Sequence, residues 1–455
     1  MLKPFSIECL FVLERWLLSS TAITKIQSII LIAIIVVAAI GGAAYVLFGG
    51  ESQSSDTIKI GVLADLDGLY GKDMLQGAIL ASEQLNDQGG ILGKKVQVIS
   101  EDTDQETNVD MNLISSALNR LISLHKVDFV IGYAPGEIAL VVQEVIAKEK
   151  IIFIAGSSSP DAVTQRILDE YDKYKYYFQV QWNASAVFKG MTDSIIQMRE
   201  QTGFNKIGYI SEDLGVAKAW AEGLEYTLPE VHGFDLVYKK TVPVGTVDFS
   251  SYFAAAESAG VEVLIPLIFS DLGIPCVKEW YDRQSPLLLY GGVLGGTNVP
   301  ESWVWTEGKC EHLVTAAFPL TANYPLTSET APLREAYVSR WNETPLGTAA
   351  FAIDSLQFIL KDAIERAGTI ETEAVVEALE ETSIETTQAS NYIFTPAHCP
   401  MMGENMLDPD EEYMLVLLFQ WQNGEMLPVY PKQIMDEAGV TLTFPDWSGP
   451  WDNIS

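Results

Sequence analysis

Apolar and polar positions along this chain follow two periods, and the period switches again and again. Residues 58–64, "IKIGVLA", form a nearly continuous apolar run of strand length. In "MLQGAILASEQLND" just after it, Leu75, Ala78, Ser82 and Leu85 fall on one helical face, and Gly89-Gly90 marks the helix end. The switch repeats through the strand "KVQVIS", a helix over 107–124, the strand "DFVIGY" (128–133), a helix over 138–149 and the strand "IIFIAG" (151–156). Such alternation predicts a parallel sheet with helices on both faces.

A second round starts near residue 183. Its strands are "KIGYIS" (206–211), "DLVYKK" (235–240), "VEVLIPLIF" (261–269) and "LLLYGG" (287–292), each separated by a helical stretch, with Asp248 reading as an N-cap. Residues 330–381 read as helical, and "YMLVLLFQWQNGEMLPVYP" as a hairpin turning at Asn423-Gly424. Two successive doubly wound units predict two lobes. Ligands of such sheets bind where the strands end, so facing lobes make a cleft.

One segment breaks the globular pattern. Residues 26–50, "IQSIILIAIIVVAAIGGAAYVLFGG", carry no charge, and about 20 apolar residues suffice to cross a bilayer as a helix. The length favours an uncleaved anchor over a cleaved signal peptide, whose apolar region is shorter. Lys3, Arg15 and Lys25 precede the span and acidic residues dominate beyond it, which predicts a cytoplasmic stretch 1–25, a polar linker 51–56 and an outward-facing remainder. Sequons at Asn183, Asn342 and Asn453 agree with that side. Beyond the span lie Cys276, Cys310 and Cys399, enough for at most one intramolecular disulfide. The net charge of −33 argues against nucleic acid as a partner, because phosphate would be repelled over most of the surface.

The chemistry concentrates in "IAGSSSPDAVTQR" (154–166), where a strand runs into three serines, Pro160 and a helix. A helix start after a strand is where free N–H groups and the helix dipole hold an anion. A nucleophile elbow would need a second glycine that "GSSSPDA" lacks, and none of His125, His232, His312 and His398 lies in a base motif. No phosphate-binding glycine loop follows a strand, so no nucleotide cofactor is expected, nor any other cofactor. The plain reading makes one serine a helix cap with Pro160 just inside the helix. "DPDEEY" (408–413) reads as a solvated acidic turn, and "HC" (398–399) is too small a set for a metal site. "YDKYKYYF" (171–178) reads as packing.

Together these pieces resemble a known family. "IKIGVLADLDGLYGKDMLQGAILASEQLNDQGGILGKKVQVISED", "VDFVIGY", "TVDFSSYFAAAESAGVEVLIP" and "FQWQNGEMLPVYP" are similar to type I periplasmic-binding-fold proteins, in particular the substrate-binding component of branched-chain amino acid ABC transporters. The resemblance covers roughly residues 57–435 and implies two doubly wound parallel-sheet lobes joined by a three-strand hinge, here preceded by one N-terminal transmembrane helix. It places lobe I at 57–180 plus 322–398, lobe II at 183–318 plus 400–440, a tail at 441–455, and the crossings near 180–184, 319–325 and 392–400. It implies a binding protein rather than an enzyme, which passes a small ligand (an amino acid, an amide or another small carboxylate) to an ABC permease; residues 26–50 would anchor it in the cell membrane with its C-terminal part outside. A ligand-sensing receptor domain on the same fold is the alternative.

By position, Tyr70 matches an aromatic against the ligand side chain. Gly136, Gly156 and Ser158 match the groups that hold its carboxylate, and Leu214 and Phe269 match cleft residues of the second lobe. Val293 stands where the family supplies a glutamate for the ligand's amino group. Glu212, Asp213 and Asp271 are the acids near strand ends that could substitute. Without one of them the ligand is an apolar or aromatic carboxylate, or an amide.

Overall fold

A computed structural model describes residues 57–104, 110–157, 160–270, 272–402 and 413–454. The expected membrane span, Ser158, Asp271 and most of the acidic turn at 408–413 lie outside the described residues. Among the described residues no helix is long and apolar enough to cross a membrane.

The first sheet contains β1 (Thr57–Ala64), β2 (Lys95–Asp102), β3 (Phe129–Gly132), β4 (Phe153–Ala155) and β5 (Tyr177–Gln179). All pair in parallel in the order β2-β1-β3-β4-β5. β3 and β4 are buried along their whole length, which is why they read as unbroken apolar runs. Strand order reverses between β1 and β3, and in open sheets of this kind ligands bind beyond the carboxyl ends of the strands at such a reversal.

The second sheet contains β6 (Lys206–Glu212), β7 (Asp235–Val242), β8 (Val263–Ile268), β9 (Leu288–Leu289) and β10 (Val293–Leu294). Its order is β10-β8-β6-β7, with β9 also paired to β8, and every pairing is parallel. The strand expected over 287–292 is only β9, and the short β10 opens just beyond it. Gly291 and Gly292 have φ of 64° and 70°, and a side chain at Gly292 would lie 1.9 Å from the Pro266 carbonyl oxygen. That left-handed step, open to glycine alone at such close approach, breaks the extension.

A third sheet is antiparallel, with β11 (Val314–Ala316) beside a hairpin of β14 (Leu418–Gln422) and β15 (Glu425–Tyr430). Between them in sequence, β12 (Ser383–Ile384) and β13 (Tyr392–Ile393) form a separate pair. The hairpin turns at Asn423-Gly424 with φ of 54° and 83°, as the sequence predicts. The helix over Ile138–Glu149 also matches its expected range. The expected helix over 107–124 is described from Met111, capped by Asp110, and continues past Asn119 in wider turns to His125. Asp248 lies one residue before the cap position. Its carboxylate accepts the Ser250 N–H at 2.9 Å, so the capping chemistry is kept at a shifted place.

The helices between residues 330 and 380 return to the first sheet. Asp73 holds them there: its buried carboxylate accepts from the Tyr337 hydroxyl at 2.8 Å, the Leu346 N–H at 3.0 Å, the Thr348 hydroxyl at 2.6 Å and the Ala349 N–H at 2.5 Å. The helix that carries Asp73, Leu69–Asp87, starts against its own preceding turn. A Cβ at Gly71 would lie 1.8 Å from the Asp65 carbonyl oxygen. Backbone cannot give way there as a side chain could. Gly71→Ala is therefore expected to destabilise the protein by about 3 kcal/mol, read as a lower denaturant midpoint at unchanged slope.

The C-terminal tail packs on the second sheet's core. Trp447 donates its indole N–H to the Ser285 carbonyl at 2.9 Å and meets Trp280 edge-on at 5.5 Å. Cys276, Cys310 and Cys399 are all free.

Candidate ligand cleft

Three of the expected site residues follow adjacent strands of the first sheet. Tyr70 stands in the first turn after β1, and its ring stacks on Tyr133 beyond β3, with centroids 5.9 Å apart. The Thr348 hydroxyl, whose proton is shared between the Tyr70 carbonyl at 2.8 Å and the Asp73 carboxylate, ties that turn down. Gly136, in the loop after β3, has φ of 57° and open space where a Cβ would stand. Gly156 directly follows β4 and donates its N–H to the Gly132 carbonyl at 3.0 Å. A Cβ there would lie 2.6 Å from the Met74 methyl and 3.0 Å from the Phe351 Cβ, so any larger residue would have to push the end of Met74 aside.

The serine run divides. Ser157 is 1% exposed, and its hydroxyl accepts the Ala134 N–H at 2.9 Å. That bond ties the loop after β3 to the loop after β4. Pro160 is not inside the helix, as the sequence suggests, but at the N-cap. Its ψ of 148° is extended, and Asp161 opens the helix Asp161–Asp169. The Asp161 carboxylate accepts from the Ser185 hydroxyl and from the Ser185 N–H at 3.3 Å.

The other three described residues follow strands of the second sheet. Leu214 caps the helix Gly215–Tyr226 just after β6 and is half-buried. Phe269 follows β8, half-buried, with Trp220 edge-on at 5.5 Å. Val293 opens β10, half-buried and paired with Leu267.

The acids expected to substitute at Val293 are otherwise engaged or not described. Glu212 ends β6 fully buried. Its carboxylate accepts the Phe269 N–H at 3.0 Å, the Ser270 N–H at 3.2 Å and the Ser270 hydroxyl at 2.7 Å. It clamps β6 to the end of β8. Asp213 is exposed and ion-paired with Lys218.

An aromatic stack that sequence reasoning missed stands behind the first rim. Trp182 stacks on Phe318 at 5.2 Å, and Phe318 meets Phe351 edge-on at 4.9 Å. Phe351 is the residue that backs Gly156. The "HC" pair holds no metal set, for among the described residues no group of three or more His, Cys, Asp or Glu side chains could bind one. His398 instead stacks on Phe178 at 4.1 Å and shares a 2.9 Å hydrogen bond with Glu380.

Residues 57–406 match the family described as Periplasmic binding protein. The chain belongs to that family. The fold is the type I α/β fold with parallel sheets that the resemblance implies. Leu/Ile/Val-binding protein homolog 7 of Brucella suis is 23% identical over 402 residues, covering 85% of this chain and 94% of its own. Two solved structures share the fold. One is the branched-chain amino acid transporter substrate-binding protein of Streptococcus pneumoniae, in complex with isoleucine. It has a TM-score of 0.67 and 19% identity, covering 82% of this chain and 100% of that one. The other is a solute-binding protein of an ABC transporter from R. palustris, in complex with benzoate, with a TM-score of 0.62 and 14% identity over 82% and 95% of the two chains.

Proposed function

We propose that this periplasmic binding protein captures a small apolar carboxylate in the cleft between two lobes and delivers it to an ABC permease, held at the outer face of the cell membrane by residues 26–50. Lobe I comprises 57–180 and 322–398, and lobe II 183–318 and 400–440. The observation that carries the reading is the convergence of strand ends. Tyr70, Gly136 and Gly156 follow β1, β3 and β4, where with Ser158 they seat the carboxylate against the helix N-terminus. Leu214, Phe269 and Val293 supply an apolar wall from the second sheet.

The ligand class follows from what the second rim lacks. Among its described residues no acid is available to an ammonium group: Glu212 is spent on Phe269 and Ser270, and Asp213 on Lys218. A buried ammonium with no carboxylate partner is costly. The family accommodates both kinds of ligand, since one relative is solved with isoleucine and another with benzoate. The rim described here favours the benzoate kind.

A thermal-shift titration of the full chain tests this, with leucine, its deaminated analogue 4-methylpentanoate, and benzoate as probes. A ligand at 100 times its dissociation constant stabilises by about 2.7 kcal/mol, a readable rise in Tm. The expected result is stabilisation by 4-methylpentanoate or benzoate and none by leucine. Stabilisation by leucine alone would refute the ligand class while leaving the binding role intact.

A further inference from the structure

Away from the cleft, the first sheet's outer layer holds a cavity of about 450 Å³. Its walls come from three places in the sequence: Ile167, Leu168 and Tyr171, then Glu380 at the end of the helix Thr372–Glu380, then Phe394 and His398 after β13. None of the cleft residues lines it.

Most of the wall is apolar, and its polar atoms are nearly all spent. The Tyr171 hydroxyl donates to Glu380 Oε1 at 2.5 Å, and His398 Nε2 shares the same oxygen at 2.9 Å. The Thr395 hydroxyl donates to the Cys399 carbonyl at 3.1 Å. That leaves Glu380 Oε2, which has no partner among the described residues. The hydrogen bond from His398 holds this carboxyl below the ordinary glutamate range, with burial opposing and Tyr171 adding to the effect. The surroundings are acidic as well: the charges of Glu380, Glu373 and Asp172 all act on the Tyr171 hydroxyl, and the nearby cation Lys175 is paired with Glu373 at 2.8 Å. A cavity whose one unspent side-chain acceptor among the described residues is a carboxylate oxygen, set among apolar walls, selects a donor with an apolar body.

We infer that this cavity is a second ligand site, taking an organic ammonium ion whose apolar part packs on Ile167, Leu168 and Phe394 while its charge meets Glu380 Oε2. The inference does not rest on the cleft. It also places the ammonium chemistry missing from the described second rim at a different site.

Isothermal titration of the full chain with benzylammonium, and with benzyl alcohol as its uncharged counterpart, tests the proposal. The expected result is saturable binding of benzylammonium that benzoate does not displace, with benzyl alcohol bound far more weakly. Glu380→Gln is expected to weaken it about tenfold. Leu168→Trp, at a position 54% exposed and clear of the Glu380–His398 pair, is expected to fill the cavity and block binding. No binding by the parent, equal binding in Glu380→Gln, full binding in Leu168→Trp, or displacement by benzoate would each overturn it.

Discussion

Replacing Glu212 by alanine is expected to cost about 4 kcal/mol of stability and to weaken binding of the cleft ligand, while Glu212→Gln keeps most of both. The reason lies in what the carboxylate serves. It is fully buried and accepts three hydrogen bonds, two of them from the consecutive N–H groups of Phe269 and Ser270. Alanine leaves both amides and the Ser270 hydroxyl without the buried acceptor they now share. Each such orphan costs about 1–3 kcal/mol. Glutamine behaves differently because of how the donors divide. Its carbonyl oxygen can take both amides, as Oε2 does now, and its NH₂ can donate to the Ser270 oxygen. The binding loss follows because those amides fix the backbone under Phe269. Urea denaturation of both variants, with a ligand titration on each, checks the expectation. Equal stability of the alanine and glutamine forms would show that the clamp contributes little.

The parts legible in the sequence are those decided by neighbours along the chain. β3, β4 and β8 read as strands because burial on both faces leaves no polar position to interrupt them. The Asn423-Gly424 turn reads correctly because positive φ at two successive residues is a local demand. The strand over 287–292 misleads for the same kind of reason: the two glycines that end "LLLYGG" are a step rather than an edge, which only their approach to Pro266 reveals. The side-chain roles depend on distant partners. Ser157 is bound to Ala134, 23 residues away, and Glu212 to residues 57 and 58 positions downstream. Nothing in "GSSSP" or "ISEDLG" announces either bond. His398 is the clearest case, since "HC" gives no role to the ring, which answers to Glu380 and to the carbonyl of Tyr177, 221 residues upstream.

Asp354→Asn is expected to leave stability within about 1 kcal/mol of the parent at pH 5 and to exceed it by several kcal/mol at pH 8. Asp354 is buried, and burial, with a smaller push from the charge of Glu329, raises its carboxyl from 3.8 to about 7 against the opposing bonds from Thr387. The native protein therefore holds a proton that the unfolded chain has released between about pH 4 and pH 7. Stability must fall as pH rises through that window, at about 1.4 kcal/mol per pH unit, and stay low above it. Between pH 5 and pH 8 that amounts to about 3 kcal/mol for this group. Asparagine carries no such charge, and the local geometry suits it. Asp354 Oδ1 accepts the Thr387 N–H at 2.9 Å, and Oδ2 accepts the Thr387 hydroxyl at 2.9 Å. An amide can keep the first bond with its carbonyl and reverse the second, its NH₂ donating to the hydroxyl oxygen. Asp73 offers no such exchange, because each of its oxygens faces a backbone N–H, from Leu346 and from Ala349. It too is raised by burial, to about 6, so the parent loses stability in the same direction from both groups. Comparing parent and variant at each pH cancels the Asp73 contribution. A difference in unfolding free energy that stays flat from pH 5 to pH 8 would show that Asp354 is ionised in the fold at no cost.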